Sequence, residues 1–78
     1  MSALTQNQIN TMDDLAICYH CEVLMPPVMG SNNIFLHLEN DTHRYTLGTD
    51  LISAGFIIVL RRKDNKLFYE ILGVDYHE

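Results

Sequence analysis

A chain of 78 residues carrying 47% hydrophobic and 19% charged side chains is too apolar to be disordered and too short for more than one modest core. Its longest apolar run, residues 56–60, falls far short of the roughly 20 residues of a membrane span. The formal net charge of −5 disfavours general nucleic-acid binding through phosphates, which needs a basic surface.

The charge is polarised along the chain. Residues 1–43 contain Asp13, Asp14, Glu22, Glu39 and Asp41 and no Lys or Arg, whereas all five basic residues fall between Arg44 and Lys66. The opening MSALTQNQIN has no basic stretch leading into an apolar one, so no secretory signal is expected and the default location is cytoplasmic. Cys18 and Cys21 are then expected to be thiols.

A helix is expected to open at Thr5, because Gln8 three residues on completes the capping-box spacing. Ile9, Met12, Ala16, Tyr19 and Val23 continue an apolar stripe, with Leu15 alongside and Asp13 and Asp14 facing outward. The favoured reading runs this helix to about Leu24. Two alternatives stand beside it: a start only at Thr11, or a stop near Cys18 with residues 17–24 extended. Pro26 and Pro27 end the helix in any case, and residues 25–32 form a loop.

Residues 33–47 read as a first hairpin, with Leu38 opposite His43, Leu36 opposite Tyr45 and Ile34 opposite Leu47. Gly48, Thr49 and Asp50 then suggest a turn and an N-cap before a single helical turn over residues 51–54. Residues 56–72, FIIVLRRKDNKLFYEIL, form a second hairpin around Asp64 and Asn65. Its register sets Lys63 opposite Lys66, Arg62 opposite Leu67, Leu60 opposite Tyr69 and Ile58 opposite Ile71. One face therefore carries Ile58, Leu60, Leu67, Tyr69 and Ile71. The other carries Ile57, Val59, Phe68 and Leu72, with Arg61 and Glu70 interspersed, so the base is expected to be covered on both sides and the tip to stand in water. Residues 73–78 read as a polar tail.

With no repeat or linker in view, residues 1–78 are expected to form a single small α+β domain. One N-terminal amphipathic helix packs on a four-stranded, mostly antiparallel sheet in the order α-β-β-short α-β-β.

Cys18 and Cys21, followed by His37 and His43, fit a generic zinc spacing. The expected hairpin sends the two histidines to opposite faces, however, and the Cys pair lacks the usual turn residues, so no metal is expected. A redox pair is disfavoured as well, because Cys18 sits late in its helix rather than at the N-terminus that would favour a thiolate. His20 and His77 have no evident partner. Glu39, Asp41 and His43 bracket one turn as solvated groups, and no nucleophile elbow, phosphate loop or dinucleotide turn is present, so neither an enzyme nor a cofactor is expected.

Candidate partner-binding residues are the acidic set Asp13, Asp14 and Glu22, read as a helix stripe, and the basic tip Arg61, Arg62, Lys63 and Lys66. The tip has a bland reading too, as charges that keep a strand end soluble. The functional expectation is a small acidic, non-enzymatic protein-interaction module. In its concrete form it is a phage or mobile-element inhibitor or adaptor that binds a larger host complex, with homodimerisation through a strand edge or the helix side also open. The alternatives are a metal- or thiol-dependent protein using Cys18 and Cys21, or a small nucleic-acid binder using the tip.

Overall fold

Helix α1 (Gln6–Cys18) begins with the expected capping box: Thr5 Oγ1 accepts from the Gln8 amide at 3.2 Å, and Gln8 Oε1 accepts from the Thr5 amide at 2.8 Å. It ends earlier than the favoured reading. His20 takes a left-handed conformation (φ 58°), its amide donates to the Ile17 carbonyl at 3.2 Å, and the Cys21 amide donates to Ala16 at 2.8 Å. That pair of bonds is a Schellman stop, which satisfies the last carbonyls and turns the chain. Residues 19–24 are therefore not helical: the alternative of a stop near Cys18 holds for the helix end, while only residues 22–24 of the 17–24 segment are extended. The structure, a computed structural model, describes residues 4–75, so His77 and the end of the expected tail lie outside the described residues.

The released segment supplies β1 (Glu22–Leu24), which pairs antiparallel with β2 (Ile34–Leu38). The expected hairpin over residues 33–47 does not form. A 3-10 turn, Asp41–His43, follows Asn40, whose Oδ1 accepts from the Thr42 amide at 2.9 Å, and leads into α2 (Arg44–Ser53). Gly48, Thr49 and Asp50, read as a turn, lie inside this helix. The reason is a helical stripe: Leu47, Gly48 and Leu51 all face the core and are buried.

β3 (Phe56–Lys63) and β4 (Lys66–Val74) form the second hairpin in the expected register, from Lys63 opposite Lys66 to Ile58 opposite Ile71. A bulge between Ile57 and Ile58 shifts the register by one, so that Ile57 meets Gly73 and Phe56 meets Val74. Gly73 and Val74, expected in the tail, thus belong to β4.

The sheet order is β1-β2-β4-β3, antiparallel throughout. This is the α+β architecture expected, but with β2 beside β4 rather than beside an arm of its own. Leu36 faces Tyr69, Leu38 faces Leu67 and Ile34 faces Ile71. These side chains share the sheet face that meets Met12 and Ala16 of α1 and Leu47 and Leu51 of α2, and together they make the core. Among the described residues no helix is long and apolar enough to cross a membrane.

The far face of the sheet is partly closed as well. Phe35 and Phe68 are buried there, with their rings edge to face at 6.1 Å. The loop after β1 folds back in a tight turn at Met29 and Gly30, both at positive φ, where Val28 and Ser31 exchange backbone hydrogen bonds of 3.0 and 2.8 Å.

Candidate functional site

The β3–β4 turn consists of Asp64 (φ 53°) and Asn65 (φ 64°), the positive pair that a tight two-residue hairpin needs. In such a hairpin the flanking residues, Lys63 and Lys66, are hydrogen-bonded to each other, and alternation then directs the amides and carbonyls of Arg61 and Val59 toward β4. Those of Ile58, Leu60 and Arg62 point the other way. β3 is last in the sheet order, so among the described residues no strand pairs with that outer edge. The edge belongs to a strand of eight residues in which Ile57 and Leu60 are 45% and 42% exposed.

Chemistry changes along this edge. Residues 57–60 are apolar, while Arg61, Arg62 and Lys63, with Lys66 on the adjoining strand, make the basic tip. The four cations are not equivalent. Arg61 Nε donates to Glu70 Oε1 at 2.9 Å, and Ser31 Oγ and Asn33 Nδ2 donate to Glu70 Oε2 at 2.8 and 2.9 Å. Glu70 is only 3% exposed. The hydrogen bond from Asn33 holds its carboxyl below the usual carboxylate range; burial opposes this, and Ser31 and Arg61 reinforce it. Arg61 is therefore part of a latch that ties the residue 28–33 loop to the sheet. Among the described residues Arg62, Lys63 and Lys66 have no ion-pair partner.

On the far face of the sheet lies a cleft of about 310 Å³ lined by Met29, Ser31, Phe35, Arg62 and Lys63 and by the Arg61–Glu70 pair. A second cavity, of about 370 Å³, lies at the base of the sheet among Leu4, Ile9, Met25, Ile34 and Leu72 and has no charged group in its lining.

The acidic candidates are not brought together. Asp13 and Asp14 ride on α1, whereas Glu22 is on β1 opposite His37, with its carboxylate 3.8 Å from His37 Nδ1. His37 packs on the Phe68 ring at 5.1 Å, which sets Glu22 on the far face, away from α1. The expected stripe needed Glu22 two turns along the same helix, and the stop at Cys18 removes it.

Cys18 ends α1 exposed, and Cys21 is half-buried. Burial, with Glu39 adding, pushes the Cys21 thiol up, so it stays protonated at neutral pH. His43 sets its ring against Tyr19 at 5.5 Å. Among the described residues no three His, Cys, Asp or Glu side chains converge as metal ligands would.

Two parts of this site escaped the sequence reading. The diagonal from Arg61 to Glu70 follows from the hairpin register and was open to inference. Ser31 and Asn33 carried no signal, because their approach depends on how the loop returns. Comparison with family models, curated proteins and solved structures returns no match.

Proposed function

We propose that this chain is a non-enzymatic protein-interaction module whose docking element is the outer edge of β3. It acts as an inhibitor or adaptor of the kind phages and mobile elements encode, by occupying a surface of a larger host assembly. The observation that carries the reading is an edge strand of eight residues with Ile57 and Leu60 nearly half exposed, no proline, and charge only toward its tip. Edges of this kind are ordinarily shortened, charged along their length or covered, because their free amides and carbonyls recruit other strands. Strand addition uses those groups directly. The contact is assigned to β3 rather than to Asp13, Asp14 and Glu22 because those three do not share a surface.

The test is affinity capture from lysate of the source cells with the wild-type chain, Leu60→Pro and Asp14→Lys. The Leu60 amide points away from β4, so proline there removes an edge donor and leaves the β3–β4 ladder intact. The wild type and Asp14→Lys retain the same partner, and Leu60→Pro loses it while its circular-dichroism melt stays close to wild type. Retention of the partner by Leu60→Pro would overturn the reading.

A further inference from the structure

We propose that the occupant of the β3 edge is an extended acidic segment of a partner protein, added as a fifth strand, with apolar side chains along residues 57–60 and carboxylates against Arg62, Lys63 and Lys66. The inference rests on the reading of β3 as the docking edge and names the chemistry that edge selects.

Three observations point the same way. The first is backbone: Ile58, Leu60 and Arg62 direct their hydrogen-bonding groups outward at every second residue, which is the spacing an added strand reads. The second is charge. Lys63 and Lys66 are paired directly opposite each other, an arrangement that weakens a hairpin, and neither has a carboxylate partner among the described residues. Glu70 neutralises Arg61 alone. A carboxylate beside Lys63 relieves that repulsion, and one on the opposite face meets Arg62. The third is space: the cleft of about 310 Å³ reaches Arg62 and Lys63, with Met29 and Phe35 as apolar lining and the Glu70 carboxylate in its wall already paired with Arg61, so an apolar side chain of the added strand on that face has a place to go.

The same facts weigh against two other occupants. A second copy paired antiparallel through Leu60 sets Ile58 opposite Arg62 and Ile57 opposite Lys63, so it delivers no carboxylate to either. Nucleic acid finds no exposed aromatic platform for its bases at the basic tip.

The probe is a fluorescein-labelled synthetic peptide, Thr-Val-Thr-Val-Glu-Asp-Glu, together with the version in which the order of its two halves is reversed. Each is titrated by anisotropy against the full chain and compared with its Gln-Asn-Gln counterpart. The acidic peptide, in one of the two orders, binds at least about tenfold tighter than its amide counterpart, and added salt narrows the gap. Arg62→Glu with Lys63→Glu abolishes that preference, and Leu60→Pro weakens both peptides. Equal binding of acidic and amide peptides, still lost in Leu60→Pro, would overturn the acidic partner and leave the docking edge standing. Acidic binding untouched by Leu60→Pro would overturn both, since it needs no added strand. The proposal also fails if no peptide binds, if the chain forms a Leu60-dependent dimer that excludes the peptide, or if a single-stranded oligonucleotide displaces the peptide at equal affinity.

Discussion

Gly48 shows how tightly single residues are set in this small core. A Cβ at that position would lie 2.5 Å from Tyr69 Oη, and Tyr69 donates to the Arg44 carbonyl at 2.7 Å just beneath α2. Gly48→Ala adds helix propensity worth up to about 1 kcal/mol, yet the overlap costs about 1–3 kcal/mol, so the net change is destabilising. Tyr69→Phe removes the nearest atom, and urea denaturation of the two single variants and the double variant should give a favourable coupling energy for the pair. Glu70 makes a prediction of the opposite kind. Its folded carboxyl sits below the usual range, so it stabilises the fold at pH values above the unfolded glutamate's titration, and that contribution disappears as pH falls through the depressed folded value. Stability measured from about pH 6 down to pH 3 should therefore decline more steeply in the wild type than in Glu70→Gln, which cannot titrate. Equal slopes would mean that the latch contributes no charge-dependent stability.

At the scale of elements, the two ends of the first helix are set by different kinds of information. The Thr5–Gln8 box is local and was readable. The stop at His20 depends on a non-glycine residue accepting a left-handed conformation, which nothing in the local pattern demands. Glycine is the residue this position favours, so His20→Gly should raise stability by about 0.5–1 kcal/mol in urea titration. The β3–β4 hairpin was readable almost whole, because a two-residue turn and two apolar arms fix the register between near neighbours. Its tip carries a conflict: Lys63 opposite Lys66 works against the hairpin. Lys63→Glu should stabilise the free chain by about 0.2–1 kcal/mol while narrowing the preference for the acidic peptide over its amide counterpart. A variant that loses both stability and binding would show instead that Lys63 supports the fold.

At the scale of the molecule, one layer of helices on one sheet leaves little reserve. A domain of this length has a total stability of about 4–12 kcal/mol, and Leu36→Ala, at the fully buried centre of the core, removes about 2–5 kcal/mol of it. The urea midpoint should fall steeply with an unchanged slope, provided the variant still unfolds in one step. How the elements combine is also where sequence and tertiary structure part. The capping box, the amphipathic face of α1, the loop after Pro26, the register of the second hairpin and the basic tip were all determined by residues within a few positions of one another or facing across one short turn. Three things were decided only by the assembled fold: residues 22–24 became a strand, residues 44–53 a helix, and β2 found β4. Ile34, Leu36 and Leu38 are apolar enough to pair with either the 43–47 arm or β4. Pairing with β4 matches them to Ile71, Tyr69 and Leu67 and frees Leu47 and Leu51 to cover the same face as a helix, so the same side chains bury one another in two layers instead of one. That choice also leaves β3, and with it the apolar-to-basic edge, on the outside of the sheet. Strand order is a competition between distant segments, and no local pattern records its outcome.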